Sequence, residues 1–141
     1  MNIEQIKMAH VISLSPFWAW LPGMRWHLYV DVYDEDGEQE YEYGRLDDYQ
    51  REGMYVPPDA VPDLLDVTTH FCLYALLRRW DPWFTMIPNF AEDSEHKWMS
   101  ISPSHQICVN GYTELDALVM MFDAATKWQE AIEASTLTAG T

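Results

Sequence analysis

Positive charge is scarce in this chain. Eight Lys and Arg stand against 23 Asp and Glu in 141 residues, for a net charge of −15. The few bases are scattered, with no basic stripe for phosphates, which disfavours direct nucleic-acid binding. The same field repels anionic membrane surfaces and speeds encounter with basic partners. Cysteine is almost absent. Cys72 and Cys108 both sit in apolar runs, where they read as buried structural thiols rather than a disulfide framework, and a reducing compartment follows. Long apolar runs are missing too. The longest, Phe71–Leu77, is far too short to span a bilayer. The opening MNIEQIKMAH has an early acid and no apolar core of signal-peptide length. The expected location is the cytoplasm.

Signatures of chemistry are also lacking. The chain has no G-x-S-x-G, no Gly-rich phosphate cradle, no C-x-x-C and no H-E-x-x-H. A calcium loop fails by position: with Gly37 as its sixth residue, Asp34 and Asp36 fit, but Val32 stands first and Tyr43 twelfth. His70 and Cys72 are two apart on a predicted helix, and His105 and Cys108 three apart on a predicted strand. Neither pair shares a face, so zinc is not expected. The best proton-handling group is His27, Tyr29 and Asp31 on one strand face, which also fits an ordinary polar sheet surface. No catalytic residue, cofactor or metal is expected, and the protein reads as a non-enzyme.

What is present is apolar mass and order. Apolar residues make up 48% and aromatic residues 14%, enough for a globular domain without metal or disulfide. Length suits a single domain, 1–141. Residues 3–14 fit a short helix or a strand. SPFWAWLPG, with Phe17, Trp18 and Trp20 between two prolines, fits a lid over the core or an aromatic contact patch. From Met24 to Tyr33 the chain alternates as a half-buried strand, with Trp26, Leu28, Val30 and Val32 opposite His27, Tyr29, Asp31 and Tyr33. Asp36-Gly37 signals a hairpin, and residues 38–43 return.

Residues 1–53 thus form an acidic β-hairpin region. MYVPPDAVP, with three prolines, predicts an extended linker over 54–62 that cannot join a ladder. A helix, three short strands and a helix fill 63–134. The first helix starts at Pro62 and runs to about Arg79; its stretch FCLYALL is apolar nearly all round and is expected to be buried on more than one side. The strands are Trp83–Ile87, Lys97–Ser102 and His105–Val109, and Asn110-Gly111 turns the chain onward. Thr113 caps the last helix, with Asp116 completing a capping box. Residues 135–141 form a frayed tail. The fold class is α+β, an antiparallel or mixed sheet on two helices with the acidic hairpin attached.

The acidity has an address. Residues 31–66 hold thirteen acids and two bases, which is −11 of the −15. Glu38, Glu40 and Glu42 alternate with Tyr41 and Tyr43. One side of the strand therefore repeats a carboxylate about every 6.6–6.8 Å, near twice the ~3.4 Å step between phosphates on one DNA strand. With Asp34, Glu35 and Asp36 they make a row suited to a groove meant for nucleic acid, with Tyr41, Tyr43, Trp18 and Trp20 as aromatic anchors. Charge on an edge strand also has a plain role in preventing aggregation.

From Val61 to Trp128 the helix, three strands and helix, with Trp83 and Trp98 in strands and NGYTELDALVMMFDAA opening the last helix, resemble the small α-β-α sandwich accessory proteins of phages and prophages. The resemblance covers about half the chain and implies an anti-defence inhibitor, anti-CRISPR or anti-restriction, working in the host cytoplasm on a basic protein that handles nucleic acid. It transfers no catalytic residue. Two other readings stand beside it: an immunity protein neutralising a basic toxin, and a small-ligand or enzymatic domain built on His27, Tyr29 and Asp31.

Overall fold

A computed structural model describes residues 1–33, 39–46, 56–89, 95 and 97–139, with the backbone alone at 29–33, 39–41 and 137–139. Its described elements run α1 (Ile3–Ser13), β1 (Arg25–Tyr33), β2 (Gln39–Arg45), β3 (Val61–Pro62), α2 (Val67–Trp80), β4 (Thr85–Pro88), β5 (Trp98–Ser102), a short 3-10 turn (Pro103–His105), β6 (Ile107–Gly111) and α3 (Glu114–Ala139). The fold is α+β. The strands form two antiparallel three-stranded sheets, ordered β2-β1-β3 and β4-β5-β6, rather than one. Residues 34–38, where the sequence predicts the hairpin turn, lie outside the described residues.

The ambiguity at residues 3–14 resolves as helix because its first turn is closed from both ends. The Gln5 amide donates to Asn2 Oδ1 and the Asn2 amide to Gln5 Oε1, each at 2.9 Å, a capping box that satisfies two otherwise orphaned donors. Ala9 and Ile12 then face inward, fully buried. They meet Met24, Val61 and Leu64, the α2 residues Leu73, Leu76 and Leu77, and Leu118, Met121 and Phe122 of α3 in one core. α3 lies across β5 and β6 and also contacts α1 and α2. The SPFWAWLPG segment is a lid. Trp18 and Trp20 are half-buried against that core, edge-to-face at 5.1 Å.

Several expectations are corrected. Val61 and Pro62 join a ladder, pairing with His27 and Trp26. Proline is tolerated because β3 is an edge strand two residues long. Consequently α2 does not begin at Pro62. It begins at Val67 behind Asp66, whose carboxylate accepts from the Thr69 amide at 3.0 Å. FCLYALL is buried on one side only; Phe71 is 67% exposed. Trp83 is not in a strand. It stands 74% exposed in the turn before β4. Gly111 ends β6 instead of forming a turn, and α3 extends to Ala139 through the segment expected to fray. Cys108 is exposed, and Cys72 is half-buried. The Thr113–Asp116 capping box forms as expected, with bonds of 3.0 and 3.2 Å.

Candidate partner-binding surface

The base of the hairpin is held by a polar relay that the sequence does not advertise. The Arg45 guanidinium grips Asp66 with both arms, at 2.9 and 2.6 Å, and also donates to the Gly23 carbonyl. Asp66 Oδ2 accepts from the Thr69 hydroxyl, whose oxygen in turn accepts from the Arg25 amide of β1. The bond from Arg45 outweighs burial and, helped by Thr69, holds the Asp66 carboxyl down to about 2. One carboxylate thereby caps α2 and ties both hairpin arms to its N-terminus. Asp66→Ala is expected to destabilise the fold by about 1–2 kcal/mol, roughly the loss of an N-cap plus a surface ion pair. Urea unfolding monitored by far-ultraviolet circular dichroism measures it.

This relay narrows the acidic surface. Asp63, paired with Arg25 at 3.4 Å, and Asp66 are already engaged inside the molecule. Of the other acids in residues 31–66 whose side chains are described, Glu42 and Asp59 are exposed.

In the hairpin, β2 pairs with β1 on one side, and no described strand flanks its other side. Leu28 lies opposite Glu42, and His27 opposite Tyr43. Glu42 therefore shares a sheet face with Trp26 and Leu28, and Tyr43 with His27. Both Glu42 and Tyr43 are exposed. Tyr43 is half anchored: Arg25 lies over its ring at 4.2 Å and His27 meets it edge-on at 5.9 Å. The opposite face is set by Gly44, where a Cβ would stand 2.6 Å from the Trp26 indole. Only a glycine lets that ring lie flat on β2. Of the other proposed contact residues, Asp34, Glu35, Asp36 and Glu38 fall outside the described residues, as do the side chains of Glu40 and Tyr41. Trp18 and Trp20 are half-buried against the core.

His27 is not on an open polar face. It is 6% exposed and lines a cleft of about 960 Å³ between α1 and the β1–β3 pair, with Ile6, His10 and Val61. Burial pushes its imidazole below the usual value, only partly opposed by Asp63. The side chains of Tyr29 and Asp31 lie outside the described residues.

Sequence reasoning missed two further clusters. Asp81, just past the end of α2, is fully buried and binds Ser102, Ser104 and the Trp83 amide. Ser102 Oγ also lies 2.9 Å from His105 Nδ1, and the His105 ring stacks on Trp80 at 3.9 Å. Here the carboxylate hydrogen-bonds the serine directly and stands 3.8 Å from His105 Nδ1, an order unlike that of a nucleophilic triad. The second cluster joins His70 and Tyr74 of α2 to Glu114 of α3. Among the described residues no group of three metal-ligating side chains converges, and no helix is long and apolar enough to cross a membrane. Comparison with protein-family models, with curated proteins and with solved structures found no match to this chain.

Proposed function

We propose that this protein is a non-enzymatic inhibitor whose acidic hairpin occupies the basic surface of a protein that handles nucleic acid. It would act as the anti-CRISPR and anti-restriction proteins of phages do. The observation that carries the reading is the edge strand β2, which presents Glu42 and Tyr43 to solvent beside the most acidic stretch of the chain. An acidic rim accelerates encounter with a basic groove, and aromatic residues anchor it. Clamping by Arg45 and Asp66 keeps the hairpin base rigid, which lowers the entropy lost on docking.

The test is capture from host lysate at low and high salt, using the wild type and a Glu38→Lys, Glu40→Lys, Glu42→Lys variant. The proposal expects a basic nucleic-acid-handling protein that the wild type holds at low salt, releases as salt screens the charge, and that the variant fails to hold. Capture of a secreted-type toxin would favour the immunity reading. One observation favours a small-ligand site instead, the burial of His27 in its cleft. Salt-insensitive behaviour with no captured protein would favour that one.

A further inference from the structure

The solvent side of α2 is apolar where a helix of so charged a chain is ordinarily polar. Val67 and Phe71, four apart and so stacked on one face, are 69% and 67% exposed. Leu65, 57% exposed, extends the patch ahead of the helix, and Ala75, also exposed, continues it by one turn. Tyr74 lies beside them, tied with His70 to Glu114 of α3, and together these side chains wall a groove of about 800 Å³. Contiguous exposed apolar side chains mark contact sites.

The groove ends in charge of the scarce sign. Arg78 and Arg79 line its far end, both exposed. Lys7, Arg25, Arg45 and Lys127 each have a carboxylate partner. Arg78 and Arg79 have none among the described residues, and Arg78 lies 5.6 Å over the Tyr74 ring. The dipole of α2 favours bases in its last turn, but it does not match two guanidinium forks. Glu114 is already engaged by Tyr74 and His70. In a chain with 23 acids against eight bases, this pair complements a carboxylate brought from outside.

A floor this exposed is too shallow to enclose a small ligand, which typically buries about 70–90% of its surface. It suits a helix laid along it. From Val67 to Arg78 the stripe runs about 16 Å at ~1.5 Å per residue. Antiparallel docking brings the first turn of an incoming helix to Arg78 and Arg79. That turn is where a helix's own dipole favours Asp and Glu. We propose that the α2 groove binds an amphipathic helix of a different protein, with acids in its first turn and apolar residues seven and eleven positions later. Positions i, i+7 and i+11 share one helix face, and the same spacing separates Arg78 from Phe71 and Val67. The acids meet the arginines, and the two apolar side chains meet Phe71 and Val67. None of these groove residues belongs to the acidic hairpin.

Fluorescence anisotropy of a labelled, acetylated helical peptide, near physiological ionic strength, tests this. The probe is about sixteen residues long. It carries two Glu in its first turn and Leu seven and eleven positions after the first of them. Its twin has Lys in place of both Glu. The net charge of −15 favours the Lys twin, so a preference for Glu reports a local site. The wild type is expected to bind the Glu peptide at least about tenfold more tightly than the twin. Arg78→Glu with Arg79→Glu should reverse the preference. Phe71→Ser, with circular dichroism unaltered, should weaken Glu-peptide binding by about tenfold. A wild type that binds neither peptide, or the Lys twin as well or better, overturns the proposal, as does binding indifferent to Phe71→Ser or to the arginine reversal. An unbound Glu peptide beside a wild-type dimer that Phe71→Ser dissociates overturns it in favour of a second copy in the groove.

Discussion

Asp81→Asn is expected to lower folding stability by about 2–4 kcal/mol at neutral pH. Asp81 is 0% exposed. Its Oδ2 accepts from the Ser102 hydroxyl at 2.6 Å and the Ser104 amide at 3.1 Å. Its Oδ1 accepts from the Ser104 hydroxyl at 2.8 Å and the Trp83 amide at 2.9 Å. Four donors thus converge on one carboxylate, which joins the end of α2 to the end of β5 and the following turn. Asparagine would aim its own N–H groups at some of these donors and leave buried groups unpaired. Burial by itself would raise the Asp81 carboxyl, but the four bonds outweigh it and hold it down to about 2.

The pH dependence follows from that direction. The folded-state value lies below the ordinary 3.8, so the unfolded chain binds the proton first as pH falls. The resulting stabilisation of about 2 kcal/mol is fully present above pH ~4 and is lost as pH falls toward 2. Guanidinium unfolding of wild type and variant across this range should show a constant gap from pH 7 to 5 that closes below 4. A gap unchanged at pH 2.5 would mean that packing, not the carboxylate charge, sets the effect.

Gly111→Ala should be at least as severe. A Cβ at this position would stand 2.4 Å from the Ala117 amide nitrogen and 2.8 Å from its Cα. Both are backbone atoms in the first turns of α3, and Ala117 is itself fully buried. No rotamer change relieves such an overlap. Either β6 or the α3 N-terminus must move, at about 3 kcal/mol or more. The usual gain of about 0.4–1 kcal/mol from a less flexible unfolded chain does not offset it. A Cβ at Gly44 would meet only the Trp26 side chain, which can shift, so the two glycines rank clearly. A thermal melt of Gly111→Ala that overlays wild type would contradict the close packing of β6 on α3.

Where local chemistry decides, the sequence was readable. Alternation over 24–33 marks β1, and Thr113 with Asp116 marks the start of α3, because both signals act within a few residues. A helix starting at Pro62 would put Asp66 inside it, whereas Asp66 is the N-cap of α2. Pro62 satisfies a helix-start rule and an edge-strand rule equally, and only the ladder to Trp26 chooses between them. Asp81 fits a helix stop, and nothing local reveals that its partners arrive 21 and 23 residues later. For the candidate surface, the position of the charge was readable but its availability was not. Asp63 and Asp66 count equally with Glu42 in a tally, yet they are engaged by Arg25 and Arg45 while Glu42 is exposed. FCLYALL misled in the opposite sense: its hydrophobicity all round predicted burial, and the fold leaves Phe71 open.

The central claim is that the hairpin carboxylates make the protein's functional contact. Its most direct test is the association rate of the captured partner with wild type and with the Glu38→Lys, Glu40→Lys, Glu42→Lys variant, both verified as folded by circular dichroism. The variant is predicted to associate at least about tenfold more slowly at low salt, with the difference shrinking as salt rises. Equal rates for the two proteins at every salt concentration would contradict the claim.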